Sequence, residues 1–227
     1  RFSTVTGVQT CALPILDKKI KLTGYIGIVA SLLMFTGDML LCFTTENFAN
    51  MHDELLLSMG SVSFRRLVAG GLLGPLPALL YIVGSYHLYL RTLKPYRCSA
   101  RVMFAIFAAG WMVDGAYHGF FPAFGIVSAQ GHPELINPLA EYAGYLGMLL
   151  FGLMAAGWTI FTVVTLRRRN DYPLWILLFN PLFTMWLNFV WVELPAPFQV
   201  LIAGGWYNLI HTLFFAASLL SLKKSIK

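Results

Sequence analysis

An aspartate and a histidine four residues apart, Asp114 and His118 in the stretch GWMVDGAYHG (110–119), stand inside an otherwise apolar run. Four residues is about one helical turn, so both project from the same face. A carboxyl and an imidazole so placed can hold and pass a proton near neutral pH. Other apolar runs are interrupted in the same way, by Asp38 in GDMLL (37–41) and by Asn188, Asn208 and His211. His118, His211, Asp38 and Asp114 are also residue types that zinc accepts as ligands. A plainer use of these groups is hydrogen bonding across helix interfaces, which fixes register.

The elements that must position them follow from composition. Of 227 residues 58% are hydrophobic and 11% charged, with a mean hydropathy of +0.69. That balance belongs to polytopic membrane proteins rather than soluble domains. Six apolar stretches approach the ~20 residues a helix needs to cross the hydrocarbon core, at about 20–43, 67–90, 102–121, 142–166, 174–193 and 199–222. Connections are short, and buried backbone in lipid must satisfy itself within helices. The expected fold is therefore all-α, one six-helix transmembrane bundle over residues 16–227. Residues 1–15 contain VTGVQTCALPI, which back-translates to accommodate a sequencing-adapter oligonucleotide, and they are read as translated adapter.

The net charge of +6 is distributed in a pattern that indicates topology, not nucleic-acid binding. Lys18, Lys19 and Lys21 precede the first stretch. Arg91, Lys94, Arg97 and Arg101 separate the second and third, Arg167, Arg168 and Arg169 follow the fourth, and Lys223, Lys224 and Lys227 follow the sixth. Only Arg65 and Arg66 fall on the other side, which predicts both termini in the cytoplasm. The three cysteines show no disulfide or CxxC pattern.

Helical rise then gives depths below the outer hydrocarbon boundary of about 8 Å for Asp38, 10 Å for Asp114, 5 Å for His118, 8 Å for Asn188, 13 Å for Asn208 and 17 Å for His211. The group gathers in the outer half, with Glu141 and Glu193 at its mouth. A carboxylate at such depth costs at least ~2.5–3.5 kcal/mol, so Asp38 and Asp114 are expected to face inward. The ~12 Å between the two histidines argues against one shared zinc ion, whose ligands lie about 2 Å from it. Depth instead pairs Asp38 with His118, and Asp114 with Asn208 or His211.

Other features have structural readings. Gly70, Gly74 and Ala78 form a small-residue face for close helix packing. Asn180–Pro181 predicts a kink. The loop 44–66, with Leu55, Leu56 and Leu57 beside Asp53 and Glu54, predicts a short interfacial helix over the outer mouth, where His52, Asp53 and Glu54 approach the polar group from above. His87 reads as an interfacial anchor with Tyr86 and Tyr89.

With GDMLL (37–41), GPLPALLYIVGSYHLY (74–89) and DGAYH (114–118), the chain resembles a set of bacterial six-span membrane proteins grouped as a domain of unknown function. The resemblance implies one membrane-embedded domain from residue 16 onward, in a bacterial cytoplasmic membrane, and brings no activity or cofactor. On the residues alone the leading expectation is a polar site that binds or translocates a small molecule, proton or cation. Asp38 and Asp114 would be acceptors, His118 and His211 partners, and Asn188 and Asn208 orienting groups. An enzyme acting on a lipid-like substrate and a structural or sensory bundle are the alternatives.

Overall fold

The computed structural model describes residues 7–49 and 51–222, and among them helices and their connections account for the architecture, with no strand. The first six residues of the stretch read as adapter, and Lys223, Lys224 and Lys227, lie outside the described residues. Helix α1 spans Gly7–Cys42, α2 Met51–Ser58, α3 Phe64–Leu72, α4 Pro75–Leu90 and α5 Arg97–Phe120. Then follow α6 Pro122–Ala129, α7 Ile136–Leu166, the single turns α8 Pro181–Thr184 and α9 Asn188–Trp191, and α10 Trp206–Leu220. The all-α expectation holds. Among the described residues, three segments are long and apolar enough to cross a membrane: Ile15–Cys42, Phe64–Leu90 and Pro133–Leu166.

Of the remaining stretches, 102–121 is the unbroken α5, and the other two depart from continuous spans for identifiable reasons. Residues 174–193 are not the single kinked helix that their apolar content predicts; they form a 3-10 helix, Leu174–Phe179, followed by short turns. The cause is Asn180, which is extended and accepts a hydrogen bond from Leu182 N at 2.9 Å, with Pro181 at the first helical position. This is a helix end and a restart, since proline has no N–H to donate to the preceding turn. Pro195 and Pro197 precede a π turn at Gln199–Ala203, and Gly204–Gly205 separate it from α10, which keeps 15 residues. Pro75 likewise starts α4 anew after α3.

Helix α1 packs on α3, α4 and α10, while α5 packs between α4 and α7. The approach of α1 to α4 is close enough that a Cβ on Gly84 would lie 2.7 Å from the Gly27 Cα, which only glycine allows. Inside, Tyr81, Phe107, Trp111, Trp158, Phe161 and Phe214 form one buried cluster, and Leu41, Leu56, Met59, Leu67 and Phe124 form another beneath α2 and α6. The short helix expected in the 44–66 loop is α2; the side chains of His52 and Asp53 lie outside the described residues.

One end of the bundle gathers the basic connections and is tied by a buried arginine. Arg91, 2% exposed, donates to Asp171 Oδ1 and to the Ser218 carbonyl, both at 2.7 Å, and its guanidinium sits 3.6 Å above the Tyr172 ring. Beside it His87 donates from Nδ1 to the Ile20 carbonyl and meets the Ser218 hydroxyl through Nε2, both at 2.7 Å. His87 is fully buried and clamps α1 and α10 to α4, so it is an interior tie and not the interfacial anchor its position suggested. At the opposite end Arg66 donates to the last carbonyls of α1, Leu40 at 3.1 Å and Met39 at 3.2 Å. A cation suits a helix C-terminus, where unpaired carbonyls carry partial negative charge.

Candidate functional site

Asp38, His118 and Asn208 meet where α1, α5 and α10 converge. Asn208 donates from Nδ2 to Asp38 Oδ2 at 2.8 Å, and its Oδ1 accepts from the Tyr81 hydroxyl at 2.8 Å. His118 Nδ1 lies 3.2 Å from Asp38 Oδ1, and its Nε2 lies 3.0 Å from the Gly70 carbonyl. A carbonyl can only accept, so Nε2 carries a hydrogen. Contact between Nδ1 and Oδ1 then requires one proton between them, held as imidazolium–carboxylate or as imidazole–carboxylic acid. The result is a continuous hydrogen-bonded chain, Tyr81 to Asn208 to Asp38 to His118 to Gly70, across α4, α10, α1, α5 and α3. The small-residue face makes this possible: a Cβ on Gly74 would lie 2.9 Å from His118 Cδ2 and from the Gly119 nitrogen.

The other candidates are placed differently. Asp114 is 4% exposed, its Oδ2 is buried without a hydrogen-bond partner, and no bond joins it to Asn208 or His211. The expected partner, Asn208, is already engaged by Asp38 and Tyr81. Asp114 stays within electrostatic reach of His118 and Asp38. His211 donates from Nδ1 to the Tyr207 carbonyl at 2.7 Å, which leaves its buried Nε2 without a partner among the rings of Tyr81, Trp111, Trp158 and Tyr207. It therefore stands apart from the Asp38–His118 pair. Among the described residues no three His, Cys, Asp or Glu side chains gather closely enough to hold one metal ion.

Asn188 belongs to a second feature. A cleft of about 1420 Å³ opens at the end opposite the arginine-rich one, between the 47–56 segment, α5–α6, α7, the broken 185–195 segment and the start of α10. Its wall is mainly apolar and aromatic, with Phe121, Phe151, Trp186 and Trp206 prominent. Asn188 stands on that wall, which the other five polar candidates do not line, and Glu193 stands at the rim. Tyr117 and Tyr207 also line it, and Asp114 is within electrostatic reach of both.

Several participants carried little or no sequence signal. Tyr81 stacks on Trp111 with centroids 3.8 Å apart and planes within 1°, and the Trp111 indole donates to Ser85 Oγ at 2.7 Å. Nothing in their spacing marks them from other aromatics. Gln199, by contrast, had a signal, a buried amide at the head of an apolar stretch. It donates to the Val192 carbonyl at 2.7 Å and exchanges hydrogen bonds with Phe48, which ties the 43–49 loop to the floor of the cleft.

Taken together, the fold and this interior define a helical protein with membrane-length apolar helices and a polar core. The chain matches the model of a family of unknown function (DUF6796) over residues 15–225 and belongs to that family. No curated protein and no solved structure matches it.

Proposed function

We propose that the chain is an integral membrane protein of six crossings, both termini cytoplasmic, that binds or carries a small molecule through the cleft at its extracytoplasmic end. On this reading Asp114 and the Asp38–His118 pair serve as proton or cation acceptors behind the cleft wall. The observation that carries it is the inverted distribution of polarity. Met112, Met148 and Leu178 are 61–74% exposed, while Asp114, His118, Asn208 and His211 are at most 6% exposed. An apolar exterior of that kind suits lipid. The polar groups face inward, next to a cleft large enough for a ligand. Asp38 and His118 do not line the cleft, which favours binding over acid–base catalysis on a cleft-bound substrate. The broken 174–193 segment completes a crossing in this scheme, with its 174–184 part packed against α7 and α10.

Native mass spectrometry of the protein released from membranes tests the reading. Gly144 lines the cleft and a Cβ there meets nothing within 4 Å, so Gly144→Phe projects a ring into the cleft. A small-molecule adduct on the wild type that is lost in Gly144→Phe supports binding in the cleft. The same adduct on both, or none on either, contradicts it.

A further inference from the structure

The end of the bundle opposite the cleft carries more positive charge than its own carboxylates neutralise. Backbone bonds from Leu93 N to the Arg169 carbonyl at 2.9 Å and from Asp171 N to the Arg91 carbonyl at 3.2 Å lash the α4–α5 connection to the chain leaving α7. Lys94, Arg97 and Arg101 are thereby brought to the same end as Arg167, Arg168 and Arg169. Of the side-chain carboxylates only Asp17 and Asp171 belong to this end. Each is already held at 2.7 Å, Asp17 by Lys21 and Asp171 by the buried Arg91. Lys94, Arg101, Arg167 and Arg168 are exposed, and Arg97 and Arg101 stand one helical turn apart, a spacing at which like charges repel. An anion from outside the chain relieves that repulsion.

Two of these guanidiniums are held against rings, and a third stands on strained backbone. Arg97 lies 4.5 Å from the centre of the Tyr89 ring and donates to the Tyr89 carbonyl at 2.9 Å, and Arg169 lies 4.7 Å from the centre of the Tyr96 ring. Helix α7 ends in a Schellman turn, in which Arg169 N bonds the Val164 carbonyl at 2.9 Å and Arg168 N the Thr165 carbonyl at 3.0 Å. Arg168 takes the left-handed position of that turn, at φ 52°. Glycine is the usual residue there, so an arginine stands against backbone preference. Beside the cations, Leu93, Val163 and Leu166 are 40–57% exposed. Guanidinium groups next to exposed apolar side chains match a phosphate joined to acyl chains, since the guanidinium fork fits phosphate oxygens.

We propose that this end is a binding site for the phosphate head of an anionic phospholipid, with Arg97, Arg168 and Arg169 as its donors and the acyl chains along Val163 and Leu166. The proposal rests on the reading that the chain spans a membrane, and it is independent of the cleft. A zwitterionic head brings its own cation, which the arginines repel, and free phosphate lacks the chains that the exposed apolar residues would cover.

The full chain in maltoside detergent is titrated with dioleoyl phosphatidylglycerol, dioleoyl phosphatidylcholine or inorganic phosphate at constant ionic strength. Melting temperature is the signal, because a ligand of the folded state raises it, and each variant is compared with its own lipid-free value. A saturable rise is expected with phosphatidylglycerol and none with the other two. One cation near an anionic surface is worth roughly fivefold in affinity, so Arg168→Gly combined with Arg169→Gln is expected to weaken phosphatidylglycerol binding about 25-fold. The fold of that variant is kept, because glycine suits the Schellman position and the backbone bonds at 168 and 169 remain. Lys18→Gln combined with Lys19→Gln removes the same charge from the same end, where Ile20 meets His87, and is expected to leave the affinity within a few-fold of wild type. Equal losses in the two double variants reduce the effect to diffuse surface charge and overturn the site. A rise with phosphatidylcholine or inorganic phosphate as large as with phosphatidylglycerol overturns the anionic lipid head, and no rise with any probe overturns the proposal whole.

Discussion

At the scale of single residues, stability and use pull apart. Asn208 satisfies Asp38 and Tyr81 at once, so Asn208→Leu strands a half-buried carboxyl oxygen and a buried hydroxyl. A loss of about 2–4 kcal/mol is expected, read as a lowered unfolding midpoint in detergent. Asp114 has no such bond to lose. Replacing an unpaired buried ionisable group by its neutral isostere in Asp114→Asn is expected to stabilise by about 1 kcal/mol. The same variant is expected to abolish any proton-linked uptake in proteoliposomes; a lower midpoint would mean that Asp114 is a structural tie. A different residue controls the alkaline limit. Burial pushes the Tyr172 phenol up to about 12 from 10.0, against the opposing influence of the Arg91 guanidinium. A raised folded pKa gives stability that is intact below pH 10 and lost as pH rises towards 12. Melting temperatures in that window should fall, and Tyr172→Phe should flatten the decline. The Asp38–His118 contact was legible in the sequence because depth along a helix is nearly fixed by residue count. The supposed partner of Asp114 was not, because depth does not say which of several acceptors an amide turns towards.

At the scale of elements, the apolar content of a stretch predicted where chain lies in the interior but not whether it is one helix. Residues 174–193 are apolar throughout, yet Asn180 competes with the backbone for the Leu182 N–H and Pro181 cannot supply the missing donor. Those two residues were visible as a disturbance, and a hydropathy pattern cannot separate a kink from a restart. The glycine faces were more informative, since a missing Cβ is a statement about distance. Gly84→Ala sets a methyl 2.7 Å from the Gly27 Cα, on backbone that cannot step aside, and is expected to cost about 1–3 kcal/mol. Gly152→Ala meets nothing within 4 Å and is expected to gain up to about 1 kcal/mol from helix propensity. Equal effects at the two positions, measured by unfolding midpoints, would contradict the α1–α4 approach. Arg91 illustrates the opposite limit. Counted as a surface charge that sets orientation, it is a buried tie whose partners Asp171 and Ser218 lie 80 and 127 residues along the chain.

At the scale of the whole molecule, the interior divides in two. A satisfied polar chain locks five helices together around one shared proton, and a roomy cleft lined in part by Tyr117 and Tyr207 lies at the opposite end from the arginines. The first part is tight and the second is open, which is why the sequence candidates, grouped by depth alone, separate into two places in space. Two thiols in one protein report on both ends at once. In a Cys11→Ser, Gly144→Cys variant, Cys42 is buried and Cys98 is exposed at the arginine-rich end, while the introduced thiol at position 144 faces the cleft. A membrane-impermeant maleimide added to intact cells should modify the introduced thiol alone, and Cys98 should react only after the membrane is opened. Modification of Cys98 in intact cells, or a thiol at position 144 that reacts only from the inside, would be incompatible with a cleft that opens on the extracytoplasmic side.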